Sequence, residues 1–167
     1  SLEIPETVEY NGVVHEVTAT GTFSGTYSYL EELWLPKTIR NVDVAALSSK
    51  MYYSLRSIHV ADDNPYFAES DGCLFSKDMK QLWVYPTVGR SSLIEIPAVE
   101  EVMPNAIFNT SDKRLWLTKP FEVSGKVCRG TIVTLISPTL ANDETFLTEW
   151  HKYHNKNYLV YYAFFDR

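Results

Sequence analysis

The sequence lacks any run of 18 or more apolar residues, which excludes a transmembrane helix. It also lacks an excess of basic residues, because 15 Lys and Arg stand against 21 Asp and Glu, giving a net charge of −6. That balance argues against a nucleic-acid-binding protein. No Gly-x-Ser-x-Gly elbow, phosphate-binding loop or dinucleotide-binding fingerprint occurs. The 167 residues are 45% hydrophobic, with 4 Trp, 11 Tyr and 8 Phe, and this predicts one globular domain with a sizeable core.

Cysteine is scarce, since only Cys73 and Cys128 are present, too few for a disulfide-stapled miniprotein. Each stands among apolar residues, which favours two small buried side chains. A catalytic thiol is disfavoured because no neighbouring His or basic cluster would lower its pKa. A disulfide between the two is less favoured because other strands separate them in the chain, and the sequence leaves their redox state open.

No set of residues for catalysis or metal binding emerges. His151 and His154 stand three apart on a predicted helix, as metal ligands can, but Glu149 is the only obvious carboxylate nearby, which favours a solvated helix face. Neighbouring carboxylates such as Glu31 and Glu32 point to opposite faces of a strand and do not form an acid–base pair by themselves. The sequence therefore predicts a protein that is not an enzyme, with no catalytic residues, no metal and no cofactor.

A short strand-like pattern, apolar-x-apolar, recurs along the chain. Its copies begin at Leu2, Leu33, Ile58, Leu82, Ile94 and Leu115. The steps run from 21 to 31 residues, apart from one step of 12. In the clearer copies another apolar residue stands three positions earlier, which gives Leu-x-x-Leu-x-Leu, the strand signature of leucine-rich repeats. A proline follows several copies, as expected at the end of a strand.

A β-hairpin is predicted between the third and fourth copies. Residues 66–69 have the character of a strand, and Asp71-Gly72 supplies a turn that accommodates positive φ. Residues 73–75 form the returning strand, and Lys77-Asp78 turns the chain again into residues 81–85.

The last 30 residues differ from the repeats. Pro138 ends the repeat pattern, and Asn142 or Asp143 can cap a helix that continues to about His154. Residues 158–165 then form an aromatic strand.

Stacked repeats leave an unpaired core at each end, so a dissimilar cap is expected. We therefore divide the chain into degenerate repeats over residues 1–137, with five or six strands in the repeat sheet, and a helix-and-strand cap over residues 138–167. Both belong to one structural domain.

The repeat residues together resemble the BspA-like leucine-rich repeat family of bacterial surface proteins. The residues that carry the resemblance are Leu30…Leu33-x-Leu35-Pro36…Val42…Ala46-Leu47, Leu55…Ile58-x-Val60, Asn64-Pro65-Tyr66, Ser70-Asp71-Gly72-Cys73-Leu74-Phe75, Leu82…Tyr85-Pro86 and Ile96-Pro97…Val99…Val102…Ala106. The resemblance covers about residues 2 to 117 and fades after Phe121. The chain departs from the family at Cys73 and Thr20, where an aliphatic residue is usual, and at Leu47 and Ile107, where Phe is usual.

The resemblance implies a mainly β fold, a right-handed leucine-rich-repeat solenoid with short turns or helical pieces, to which the cap predicted above is added at the C-terminus. It also implies a secreted or cell-surface protein. Its signal peptide is expected to have been removed or to lie outside the given sequence. Family members are linked to adhesion and protein–protein contact, and the family shares no catalytic residues that could be transferred.

Alternation along a strand predicts one face that could bind a partner. If Leu33 and Leu35 point into the core, Trp34 points outward, and the same reasoning applies to the middle residue of the other copies. If the strands stack in chain order, the outward row reads Trp34, His59, Trp83, Glu95, Trp116.

Exposed tryptophans need a reason, and Trp is enriched in protein-binding hot spots. We therefore predict that Trp34, His59, Trp83 and Trp116 form the binding site of a surface module for protein–protein interaction or adhesion. The partner would be a host or bacterial surface protein. Three alternatives remain. In the first the rings stack on a glycan, and in the second the row is covered by residues 158–165, a hairpin or another domain. In the third the chain is a structural spacer of a longer surface protein, and its row docks another domain of that protein. The oligomeric state is not determined by the sequence.

Overall fold

The computed structural model describes residues 1–21, 23, 29–51 and 53–161, with the backbone alone at Lys50 and Tyr161. The strands are, in chain order, β1 (Leu2–Glu3), β2 (Thr7–Tyr10), β3 (Val13–Glu16), β4 (Glu32–Leu35), β5 (Ser57–Val60), β6 (Phe67–Ser70), β7 (Cys73–Ser76), β8 (Gln81–Val84), β9 (Leu93–Glu95), β10 (Glu101–Val102), β11 (Arg114–Leu117), β12 (Glu122–Val123), β13 (Val133–Ile136) and β14 (Leu159–Tyr161). The helices are α1 (Val44–Lys50), α2 (Pro138–Ala141) and α3 (Glu144–Tyr153), followed by a 3₁₀ turn at Lys156–Tyr158. The fold is mainly β, as predicted. No helix of the described residues is long and apolar enough to cross a membrane.

All six predicted repeat copies form strands, but they lie in three different sheets. The first sheet has the order β1-β4-β5, the second β12-β10-β8-β7-β6, and the third β14-β13-β11-β9. The first and third sheets are parallel throughout, whereas the second is mixed. The expectation that the strands stack in chain order as a single sheet is therefore wrong.

Among the six copies, β8 alone lies in the mixed sheet, and the short step of 12 residues comes directly after it. A short turn after β7 lets β8 pair antiparallel with β7, and β10 then pairs parallel with its other edge. The hairpin turn takes the place beside β5 instead, where the N–H of Ile58 donates to the carbonyl of Gly72 at 2.9 Å. Arg90 also contacts this turn, because it forms an ion pair with Asp71, with 2.5 Å between Nη1 of Arg90 and Oδ2 of Asp71.

The predicted hairpin of β6 and β7 is confirmed, and it separates two hydrophobic clusters. Asp71 and Gly72 have φ of 51° and 68°, as their turn chemistry requires. Leu74 packs with the cluster of the N-terminal repeats, whereas Cys73 and Phe75 pack with that of the C-terminal repeats. Because successive side chains of a strand point to opposite faces, β7 is buried on both.

A second hairpin, β2 and β3, was not predicted. Its turn residues Asn11 and Gly12 have φ of 52° and 75°, the same chemistry as Asp71-Gly72. All eight strand residues are exposed. Burial therefore contributes little to this hairpin, and local turn chemistry carries it.

The C-terminal helix is confirmed. Asp143 is its N-cap and accepts a hydrogen bond from the N–H of Phe146 at 2.9 Å, and Trp150 is almost fully buried. The following strand β14 pairs parallel with β13 and so continues the third sheet. Residues 162–167, which complete the predicted aromatic strand, lie outside the described residues.

Candidate functional site

The four predicted binding residues are divided among the three sheets. Trp34 and His59 are neighbours in the first sheet, Trp83 lies in the second, and Trp116 lies in the third. The continuous outward row is therefore wrong, because it assumed that β8 stacks beside β5. A binding role for each residue stays a prediction.

Trp34 and His59 form a stacked pair on the outer face of the first sheet. They are partners in the parallel register of β4 and β5, and their ring centroids are 4.1 Å apart with 25° between the planes. Neighbouring strands lie about 4.8 Å apart, so two flat rings at matched positions are placed for stacking. Trp34 remains 43% exposed, and it is the one tryptophan among the described residues with such exposure.

Polar contacts fix the orientation of the His59 ring. Its Nε2 shares a hydrogen bond with Ser57 Oγ at 3.0 Å, and its Nδ1 lies 3.8 Å from Glu69 Oε2. Glu69 is itself held, because its Oε1 accepts from the N–H of Gly72 at 3.0 Å. These contacts hold the His59 ring in the position in which it stacks on the indole of Trp34.

A groove of about 570 Å³ opens beside Trp34 at the ends of β1, β4 and β5. It is lined by Glu3, Ile4, Pro5, Glu6, Trp34, Leu35, Pro36, Val60, Ala61 and Asp62. Aliphatic and proline side chains supply its apolar part, and three carboxylates supply its charge. The prolines stand where the strands end, since proline cannot donate to the ladder.

Trp83 is a packing residue as much as a surface residue. Its ring meets that of Phe67 edge-on, with centroids 5.1 Å apart, and its Nε1 donates to Gln81 Oε1 at 3.3 Å. Phe67 is almost fully buried, and Trp83 packs against the N-terminal cluster. Strand β6 brings Phe67 to this place, a contact that the sequence pattern around Trp83 does not reveal.

Trp116 is half-buried in the third sheet. Its register partners are Glu95 on β9 and Leu135 on β13. It therefore has a carboxylate on one side and an aliphatic neighbour on the other, and no second aromatic ring at either register position.

A larger groove of about 830 Å³ lies at the ends of β9 and β11, in the position that corresponds to the groove beside Trp34. Its lining includes Pro97, Pro120 and Phe121, with charges of both signs. Lys80 and Glu100 on its wall are paired at 2.7 Å, and this contact raises the pKa of Lys80. Neither Trp83 nor Trp116 lines it, so this groove lacks the exposed ring of the first.

The two cysteines are buried, and His154 packs on Trp150. The solvated helix face expected for His151 and His154 therefore does not hold at His154. Cys73 and Cys128 are free and buried, and burial raises the pKa of both thiols to about 12. The ring of His154 stacks on that of Trp150, with 3.7 Å between the ring centroids. Its Nε2 accepts a hydrogen bond from the N–H of Val127 at 3.2 Å. Burial lowers the pKa of His154 to about 4. In the described part of the chain, no group of three or more His, Cys, Asp or Glu residues is placed to hold a metal.

No protein-family model matches the sequence, and no curated protein matches it. Among solved structures, the chain is similar to the pneumococcal vaccine antigen PcpA, with 24% sequence identity and a TM-score of 0.43 over 65% of this chain and 29% of that one. It is also similar to a leucine-rich repeat protein from Eubacterium ventriosum, with 18% identity and a TM-score of 0.44 over 64% of this chain and 29% of that one. The chain thus spans less than a third of the length of either protein.

Proposed function

We propose that this chain is a non-catalytic binding module for protein–protein interaction or adhesion, and that its binding face is the outer face of the first sheet. The observation that carries the proposal is the exposed Trp34 ring stacked on His59. A large aromatic ring kept accessible on a rigid sheet is typical of a protein-binding hot spot. Parallel pairing with the neighbouring strand gives this ring a fixed position before any partner arrives, which reduces the entropy lost on binding.

The proposal places the module on the cell surface or in the secreted fraction, as a BspA-like leucine-rich repeat protein with a right-handed solenoid. Support comes from the family-like stretch around Asn64, whose buried side chain joins the hairpin to the preceding repeat through four hydrogen bonds. The absence of catalysis is part of the proposal. It is supported by the inert surroundings of the two thiols, whose raised pKa keeps them protonated.

Carbohydrate binding is the second candidate, and the same pair favours it. A flat ring can stack on a sugar, and the carboxylates of the adjoining groove can accept hydrogen bonds from its hydroxyl groups. The two candidates differ in the ligand and share the site.

An array that carries both glycans and extracellular-matrix proteins separates the candidates. Wild type is compared with Trp34→Ala and with Tyr153→Ala, whose ring on α3 is equally exposed, at 42% against 43% for Trp34. We expect binding to a protein spot that Trp34→Ala abolishes and Tyr153→Ala retains. Binding to glycan spots alone would favour the second candidate. Wild-type binding that survives Trp34→Ala would contradict the use of this face.

A further inference from the structure

Carboxylates bracket the aromatic pair of the first sheet. Glu3 on β1 is the register partner of Trp34 on β4, and Trp34 is the partner of His59 on β5. Beyond His59 lies Glu69, 3.8 Å from the ring. Glu32 stands two positions before Trp34 on the same strand and therefore on the same face. The exposed indole thus has carboxylates on several sides.

Few of these carboxylates have a cation of their own. Among the described residues, no Lys or Arg forms an ion pair with Glu3 or Glu32. Lys37 lies 3.6 Å from Glu6 and 3.9 Å from Asp63 at the outer end of the groove, and it compensates part of the charge there. The carboxylates nearest to Trp34 are therefore available to pair with a positive group of a binding partner.

The whole net charge of the chain lies in the part that builds this surface. Residues 1–70 contain ten Asp and Glu against four Lys and Arg, whereas residues 71–167 contain eleven of each. The net charge of −6 therefore belongs to residues 1–70 alone. Three carboxylates of this part, Glu3, Glu6 and Asp62, line the groove. Negative charge at such a surface attracts positive groups and raises the rate of encounter. A neutral sugar would gain nothing from this field.

The chemistry that fits the site is a cation on a long apolar stem. A guanidinium or ammonium group is attracted to the face of an indole ring, and arginine stacks on such rings with its planar group. Its methylene stem can lie along Ile4, Pro36 and Val60 in the groove. The carboxylates of Glu3 and Asp62 then stand at the rim, where they can accept the hydrogen bonds of the charged end.

We infer that the surface formed by Glu3, Glu32, Trp34, His59 and the adjoining groove, named here the Trp34 surface, binds an arginine- or lysine-bearing segment of a partner protein. The positive group lies over the Trp34 ring and between the flanking carboxylates. This inference rests on the proposed function and adds the chemistry of its partner.

The test uses three synthetic peptides with one Gly/Ser/Pro scaffold, in which the same three positions are all Arg, all Lys or all Gln. Binding of the fluorescein-labelled peptides is followed by anisotropy at low and at physiological salt. We expect the Arg and Lys peptides to bind at least about tenfold more tightly than the Gln peptide, and the difference to shrink as salt rises.

Matched variants locate the binding. Trp34→Ala should lower the affinity for the Arg peptide about tenfold or more. The double variant Glu3→Gln, Glu32→Gln should lower this affinity severalfold and reduce its dependence on salt. The control variants are Tyr153→Ala and Glu122→Gln, which remove an exposed ring and an exposed carboxylate outside the Trp34 surface. Both should leave the affinity for the Arg peptide unchanged. Circular dichroism and thermal unfolding show that each variant stays folded.

The outcomes separate the inference from the proposed function. Equal binding of all three peptides with loss in Trp34→Ala overturns the preference for a cation and leaves a protein-binding face. Failure of the Arg and Lys peptides to bind, or binding that Trp34→Ala does not change, overturns the inference, and the protein array then decides the proposed function by itself. Displacement of the array signal by soluble sugar and not by the Arg peptide assigns the surface to glycans and overturns the inference too.

Discussion

The side chain of Asn64 donates a hydrogen bond to the backbone carbonyl of Ile39 at 3.0 Å, across 25 positions of the sequence. Its Nδ2 also donates to the carbonyl of Pro36 at 2.9 Å, and its Oδ1 accepts from the N–H groups of Tyr66 and Phe67, both at 2.8 Å. The residue is fully buried. One amide thus joins the end of one repeat to the start of the central hairpin, with its donors and its acceptor all used.

Replacing Asn64 should therefore be costly. Asn64→Ala leaves two carbonyls and two N–H groups without their partner, and we expect a loss of about 3 kcal/mol in the free energy of unfolding. Asn64→Asp should cost at least as much, because a carboxylate cannot donate and would face two carbonyl oxygens. Urea unfolding measures both, with the exposed Asn157→Ala as the control. A near-neutral Asn64→Asp would contradict the hydrogen-bond assignment.

The two hairpin turns offer a matched pair of glycine substitutions. Gly12 and Gly72 both have positive φ, so Ala at either position costs about 1 kcal/mol of backbone strain. At Gly72 an added Cβ would also lie 2.9 Å from the Cβ of Ser57, whereas at Gly12 nothing lies within 4 Å. Gly72→Ala should therefore destabilise the protein by roughly 2 kcal/mol more than Gly12→Ala. Equal losses in thermal unfolding would mean that the hairpin turn does not press on β5.

Trp34 and Trp83 should differ in what they contribute to stability. Trp34→Ala removes an exposed ring and its stacking on His59, with an expected loss of about 1 kcal/mol. Trp83→Ala opens a gap against the buried Phe67, with an expected loss of about 2–3 kcal/mol. Chemical denaturation of the two variants measures the difference. The reverse order would show that Trp34 is the structural residue and would weaken the binding proposal.

His154 should make the stability of the C-terminal helix depend on pH. Its pKa is lowered from 6.5 to about 4 by burial, so the neutral form is favoured in the folded state. The contribution of neutral His154 to the free energy of unfolding is fully present above pH 6.5 and is lost as the pH falls through about 4. Protonation of His154 removes the acceptor for the N–H of Val127. One pKa unit corresponds to about 1.4 kcal/mol, and since the ring is partly exposed we expect a loss of about 2 kcal/mol between pH 7 and pH 4.

His154→Gln isolates this contribution, because the amide oxygen can accept from Val127 and does not titrate in this range. The variant should lose less stability than wild type between pH 7 and pH 4, as measured by urea unfolding at each pH. His15→Gln, on the exposed hairpin strand β3, is the control and should follow wild type. Identical pH profiles for all three proteins would contradict a neutral, half-buried His154.

The buried thiols should be unreactive in the native protein. Since burial raises the pKa of Cys73 and Cys128 to about 12, very little thiolate exists at pH 8, and the sulfur atoms are also out of reach. A chromogenic disulfide reagent should label neither thiol in buffer and both in denaturant. Rapid labelling of a native thiol, identified by mass spectrometry, would contradict the packing of its strand.

Local signals in the sequence were sufficient for several elements. Asp71-Gly72 fixes a turn because both residues accept positive φ, and the Asp143 cap marks the start of α3. Asn11-Gly12 carries the same local signal for the turn of β2 and β3. The division of the repeat copies among three sheets has no such local signal, because alternation says nothing about which strand is the neighbour.

The residue pattern alone is enough to predict a mainly β fold, strands at the repeat copies, and side chains of Trp34 and Trp83 that point away from the residues that flank them. These properties depend on alternation along a single strand. Only the tertiary structure decided that β8 pairs antiparallel with β7, so that Phe67 packs on Trp83 while Trp34 stacks on His59 and stays open to solvent. Exposure depends on which distant strand packs against a residue, and the apolar-x-apolar pattern that surrounds both tryptophans contains no information about that strand.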